Sequence, residues 1–151
     1  MKHFLHILVL TLILALPLRV CANTVTFDFT TDVGLNALGI GKPNPKKDTD
    51  LSDTGYTLQD VTLTQKKNNV STPTRIWNSK GNIELRFYAN SELTLSVPAG
   101  KQITSIVLTG NLKCTCNCGA LNGLSWTNNN SVMNSVTFKA SATNNINTIT
   151  V

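Results

Sequence analysis

The sequence predicts an all-β domain: an antiparallel two-sheet β-sandwich of jelly-roll character, following an N-terminal signal peptide. Three observations carry that expectation. Apolar and polar residues alternate in run after run from Asn23 onward, and alternation is the pattern of a strand with one dry and one wet face. The runs are short and are separated by Asn, Gly, Pro and Ser clusters that make turns. No long stretch repeats its apolar residues at the helical period. Several short strands with one greasy face each need a second sheet to cover them, and a sandwich supplies it.

Residues 1–22 read as an export signal. Met1, Lys2 and His3 give a short positive start, Phe4 to Leu18 an apolar run, and Val20-Cys21-Ala22 the small-residue cut site after Ala22. The apolar run is shorter than the roughly 20 residues of a membrane-spanning helix, so no transmembrane span is expected after signal removal. A competing use of the same segment is lipid attachment at Cys21. Either way the expected location is secreted, periplasmic or at the cell surface.

The remaining 23–151 read as one domain. Val25, Phe27 and Phe29 alternate with polar neighbours and open it as a strand. Asp32–Ile40 allows one helical turn, with Val33, Ala37 and Ile40 on a common face and Gly34 and Gly39 limiting its length. Gly41–Asp53, with Pro43 and Pro45, reads as a surface loop. Tyr56–Thr64 reads as a strand with a bulge near Gln59-Asp60, because Tyr56 and Leu58 fall out of step with Val61 and Leu63. Further strands follow at Ile83-Leu85-Phe87, Leu93-Leu95-Val97, Ile103–Thr109, Val136-Phe138-Ala140 and Ile146–Val151. The last runs right up to Val151, so the chain can continue into a longer protein.

An ordered series of motifs adds a resemblance. Thr74-Arg75-Ile76-Trp77, Leu85-Arg86-Phe87-Tyr88, Ser91–Pro98 and Ile103-Thr104-Ser105-Ile106 are followed by Ser125-Trp126-Thr127, Ser135–Phe138 and Ile146–Val151. The series resembles the β-sandwich domains that recur in exported and cell-surface proteins of Bacteroidetes, and it covers essentially all of 23–151. The resemblance implies a jelly-roll-like sandwich in an exported protein. It implies no activity, and the cysteine triplet described below falls outside the pattern.

Composition excludes several chemistries. The only histidines, His3 and His6, lie in the signal, so the exported part has no imidazole for Ser-His-Asp or Cys-His catalysis or for a His-containing zinc site. Without Lys2 and Arg19, eleven of the thirteen basic residues face eight acids, a balance of +3. The basic residues are scattered rather than gathered in a stripe, which argues against nucleic acid as a partner. Glu84 and Glu92 are the only glutamates. No spacing forces them into the paired-carboxylate arrangement of a glycoside hydrolase, and no catalytic residue is assigned.

Three constellations remain. Cys114-Thr115-Cys116-Asn117-Cys118 offers three thiols but no fourth ligand. Its readings are inert thiols, a Cys114–Cys118 disulfide, or a soft-metal site if the segment forms a loop. Asp48, Asp50 and Asp53 crowd a Thr/Ser-rich run that lacks the spacing of an EF-hand; a structural calcium there is the one cofactor the sequence suggests, with solvated turn acids as the alternative. Trp126, Tyr88, Trp77 and Tyr56 are the aromatic candidates for a sugar-stacking platform, with Arg86 and Asn128 at its rim. Trp126 leads because its neighbourhood, Asn122 to Asn130, reads as a polar loop.

Two functional classes follow. One is a secreted, non-catalytic surface-structural or adhesion module whose partner is another surface protein. The other is a carbohydrate-binding module that stacks a glycan on Trp126 and Tyr88. The two differ in the place of Trp126: an indole wholly inside the core overturns the sugar reading in favour of the structural one.

Overall fold

The structure is a computed structural model describing residues 22–129 and 131–151. The signal-peptide reading of 1–22, save Ala22, and the alternative anchor Cys21 lie outside the described residues. Thirteen strands and one short helix follow in order: β1 (Thr26–Asp28), α1 (Asp32–Ala37), β2 (Asp48–Asp50), β3 (Tyr56–Leu58), β4 (Val61–Lys66), β5 (Arg75–Ser79), β6 (Asn82–Phe87), β7 (Glu92–Ser96), β8 (Ser105–Asn111), β9 (Cys114–Cys116), β10 (Ala120–Asn122), β11 (Ser125–Thr127), β12 (Ser135–Ala140) and β13 (Asn144–Thr150). The larger sheet has eight strands in the order β10-β11-β8-β13-β6-β5-β2, with β1 also paired to β13; the smaller has the order β3-β4-β7-β12-β9. Every pairing is antiparallel. From β4 onward the chain changes sheet at most connections, which is the jelly-roll habit expected.

The alternation in the sequence becomes the two faces of each sheet. Phe27, Phe29, Leu63, Ile76, Leu85, Phe87, Leu93, Leu95, Val136 and Phe138 are all buried in one core between the sheets. Burial of this much apolar area is the main stabilising contribution. The buried asparagines are satisfied. Asn78 donates to the Pro43 carbonyl at 2.8 Å and accepts from Gly81 N–H at 2.7 Å. Asn144 donates to the Ala142 carbonyl at 2.8 Å and accepts from Lys113 N–H.

Several local expectations are corrected. The presumed bulge at Gln59-Asp60 is a two-residue hairpin turn between β3 and β4, with Gln59 at φ 51°. The phase slip marks a chain reversal, not an inserted residue. The 41–53 loop contains β2, which adds to the edge of the larger sheet by pairing with β5. In the helical turn Val33 is 81% exposed and Ala37 is exposed as well; of the expected face Ile40 alone is buried, together with Leu35 and Leu38.

The helix entry is organised by Asp28. Its Oδ1 accepts from Thr30 N–H at 2.8 Å and from Thr30 Oγ1 at 2.7 Å, and its Oδ2 accepts from Thr31 Oγ1 at 2.7 Å. Thr31 in turn caps α1, accepting from Gly34 N–H at 3.1 Å. Burial pushes the Asp28 carboxyl up, but the bonds from Thr30 and Thr31 outweigh it and hold the group below its ordinary value.

β13 is the strand that joins the most neighbours. Its register against β8 shifts between Ile146 and Thr148. At that irregularity Gly110 has φ 124°, and a Cβ there would collide with the Asn145 carbonyl and stand 3.0 Å from Ile146 Cα. The neighbour is backbone and cannot rotate away.

Two outcomes test this framework. Gly110→Ala is expected to destabilise the protein by about 2–3 kcal/mol or more in urea unfolding, whereas Gly41→Ala, which meets nothing within 4 Å, changes stability by less than about 0.5 kcal/mol. A depressed folded-state pKa contributes stability that is present above the ordinary aspartate pKa and lost as pH falls through the folded value. The stability gap between wild type and Asp28→Asn is therefore expected to be largest at neutral pH and to shrink below about pH 4; a gap constant from neutral to acid pH contradicts the assignment.

Candidate functional site

The outer face of the larger sheet carries the densest group of chemically capable side chains. In β5, Ile76 and Asn78 point inward, so Arg75 and Trp77 point outward. In β6, Ile83, Leu85 and Phe87 point inward, so Glu84 and Arg86 point outward. Register then sets the neighbours. Asp48, Trp77 and Glu84 form one cross-strand row, and Asp50, Arg75, Arg86, Asn145 and Asn111 form the next. Tyr88 stands just past the end of β6.

Arg75 and Arg86 are directly opposed, which alone is unfavourable. Each is stabilised by carboxylate and ring together. Arg75 donates to Asp48 through Nη1 and lies 3.3 Å from Asp50 Oδ1 through Nη2, and its guanidinium carbon is 6.0 Å from the Tyr88 ring centre. Arg86 donates from Nε to Glu84 Oε1 at 2.6 Å, and its guanidinium carbon is 5.1 Å from the Trp77 ring centre. These are cation–π distances. Side-chain exposures of 19% for Arg75 and 28% for Arg86 show the pairs partly desolvated, so they are screened less than free surface pairs.

The row is not fully satisfied from within. Arg75 Nε and Asn145 Oδ1 are buried with no partner among the described residues. Unpaired buried polar atoms are uncommon in folded proteins, and Gln65 Oε1 and Thr74 Oγ1 share that state elsewhere in the fold. The Arg86 bond to Glu84 uses only Nε, leaving both Nη groups as donors. The ladder can therefore hold planar, carboxylate-bearing or hydroxyl-bearing groups. It contains no nucleophile with an adjacent base.

Trp126 corrects the leading sequence candidate. It is fully buried, not displayed on a loop. The polar stretch around it folds as the β10–β11 hairpin, and alternation in β11 places Ser125 and Thr127 outside and the indole inside. Trp126 Nε1 donates to the Cys118 carbonyl at 2.6 Å, and the ring packs on Gly119, where any Cβ would overlap it. Asn128 is also structural. Its Nδ2 donates to the Ile103 and Ser131 carbonyls at 3.2 and 2.6 Å, and its Oδ1 accepts from Ser131 N–H at 3.1 Å. Tyr56 accepts from Ser52 N–H at 2.8 Å.

The aspartate run is corrected as well. Asp48 and Asp50 both face Arg75, whereas Asp53 accepts from Gln65 on β4. The three carboxylates do not converge, and among the described residues no group of three or more His, Cys, Asp or Glu is arranged to hold a metal ion. The thiols of Cys114, Cys116 and Cys118 are free, half-buried, and packed on the core along the β9 edge. Burial, with a smaller contribution from Cys116, pushes the Cys114 thiol up to about 11. The same two causes raise Cys118. Glu84 and Glu92 sit on opposite outer faces of the sandwich, pointing apart across sheets about 10 Å from each other, so they form no catalytic pair.

Of the sugar-platform candidates named from the sequence, Trp77, Arg86 and Tyr88 come together on this face, beside Arg75, Glu84 and Asn145, which were not among them. Arg75 stands two positions before Trp77, on the same strand face, and that period was the available signal. No protein-family model, curated protein or solved structure matches the chain. Among the described residues, no helix is long and apolar enough to cross a membrane.

The two tryptophans are expected to separate experimentally. Trp126→Ala removes a fully buried indole and costs about 3–5 kcal/mol in chemical denaturation. Trp77→Ala removes a half-buried one, and its cost stays below about 2 kcal/mol. Equal losses at both positions are incompatible with the burial described.

Proposed function

We propose that this chain is an exported, non-catalytic β-sandwich module of the cell surface or the extracellular space. It works by adhesion, holding a surface partner on the outer face of its larger sheet. The observation that carries this reading is the ladder in which Trp77 and Tyr88 stack on Arg86 and Arg75 while Asp48, Asp50 and Glu84 fix both guanidiniums. Aromatic and arginine side chains held rigid on a sheet lose little entropy on binding, and such residues dominate binding energies. The signal-like residues 1–22 support export, and the lack of any histidine after His6 supports a non-catalytic role. No cofactor is required.

Glycan binding as first expected falls with the burial of Trp126, and a version anchored on this face stands as a second reading because Trp77, Tyr88 and two arginines share it.

The experiment compares wild type with Trp77→Ala/Arg86→Ala in retention on intact envelopes of the producing cell and on a neutral-glycan array. Retention on envelopes is expected to fall at least tenfold in the double variant, with the array blank. Array binding that is lost in the same variant selects the glycan reading. Undiminished envelope retention by a folded double variant refutes the assignment of this face.

A further inference from the structure

The opposite face of the sandwich carries a different arrangement. Register across β4, β7 and β12 places Lys66, Glu92 and Lys139 in one cross-strand row. The row forms the floor of an open groove of about 570 Å³, walled by Asn68, Asn69 and Asn90. The walls are two turns, one leaving β4 and one entering β7. Asn68 and Asn90 both take positive φ there, 52° and 72°, and Asn68 Nδ2 donates to the Asn90 carbonyl at 2.8 Å. That bond ties the turns together and keeps the groove in shape.

The three charges are neighbours in register, yet among the described residues none of them belongs to an ion pair. This is the reverse of the ladder, where every charge is matched. Two cations stand free on either side of one anion. The strands that carry the lysines are two strand spacings apart, about 9–10 Å, which is about the span of two pyranose rings. An extended sugar chain lying across the strands meets Lys66, then Glu92, then Lys139.

We infer that this groove binds an acidic polysaccharide whose uronate carboxylates occur on alternate sugars. The two lysines take successive carboxylates. Glu92 accepts hydroxyl groups from the neutral sugar between them and repels a carboxylate placed there, so it supplies discrimination through an unfavourable contact as well as a favourable one. The asparagine side chains offer both donors and acceptors for the remaining hydroxyl and amide groups. The site is on the other face from the Trp77–Arg86 ladder and does not depend on it.

The test is calorimetric titration of the protein with a hyaluronan hexasaccharide, which alternates uronate with a neutral amino sugar, and with a hexagalacturonate, which has a uronate on every ring. Wild type is expected to bind the first at least tenfold more tightly than the second, and more weakly as salt is added. Lys66→Gln/Lys139→Gln is expected to weaken hyaluronan binding at least tenfold. Lys46→Gln/Lys47→Gln, with the same change in net charge away from the groove, leaves it within about twofold. Glu92→Gln is expected to erase most of the discrimination by strengthening hexagalacturonate binding. All three variants replace surface groups, and unchanged thermal melts establish that they are folded. The inference is overturned by absence of hyaluronan binding in wild type, by equal loss in the two lysine double variants, by unaltered discrimination in Glu92→Gln, or by equal binding of a single-stranded oligodeoxynucleotide.

Discussion

The change of partner along β13 is the constraint from which the rest of the larger sheet follows. One edge of β13 pairs with β8 along nearly its whole length. The other edge pairs with β6 over Asn144–Ile146 and with β1 over Thr148–Thr150. Between the two lies Asn147, whose carbonyl continues the β1 register by accepting from Phe29 N–H at 2.9 Å. One strand thus secures the N-terminal segment and β6 side by side, closed by the reciprocal Val25–Val151 backbone bonds of 2.9 and 2.8 Å. β6 aligns Arg86 with Asn145 just before the irregularity in the β8 register, and this pairing gives the arginine ladder its inner end.

The irregularity also explains a feature of the sequence. Ile146 and Ile149 are both buried although they are three residues apart, which a regular strand forbids because its period is two. The spacing therefore carried the information for a bulge. The same logic was read correctly in the long runs: Ile83-Leu85-Phe87, Leu93-Leu95 and Val136-Phe138 all face the core as their alternation requires. It failed in three-residue strands, where a single inward residue gives no period. Trp126 is the clearest case, because one indole between Ser125 and Thr127, flanked by asparagines, has the composition of a loop while lying in a hairpin. At Gln59-Asp60 the slip in phase was seen, but a slip does not distinguish an inserted residue from a reversal of direction.

The candidate site divides along the same line. Arg86 and Tyr88 fall opposite Ile83, Leu85 and Phe87 by alternation alone, whereas Trp77 stands next to Ile76 in a stretch that announces no strand, and only β5 puts it on the same face. The partnership of Asp48 and Asp50 with Arg75 was not legible, since it depends on β2 joining β5 across the whole of β3 and β4, and nothing in 41–53 announces a strand. Cross-strand neighbours arise from topology, and one sequence without its pairings does not specify them. The aspartates therefore looked like a calcium loop when considered only with one another. Their actual counter-ion is a guanidinium from the adjacent strand.

The two outer faces hold their charge in opposite ways. On the larger sheet, opposed arginines are made tolerable by three carboxylates and two rings, and the result is a stiff surface with most of its charge already neutralised. On the smaller sheet, Lys66, Glu92 and Lys139 alternate in sign along one row and remain unpaired. Charge held rigid and matched gives shape and stacking; charge held rigid and unmatched gives attraction for an external ion. Both arrangements come from strands whose inward residues are fixed by the core, so side chains two positions apart keep their spacing. The only reactive groups of the described chain besides surface amines, the three thiols, face the opposite way: half-buried on the β9 edge, with burial raising Cys114 and Cys118 away from the thiolate form that reaction needs. The arginine ladder and the lysine row stand on the outer faces, while the thiols lie half-buried against the core.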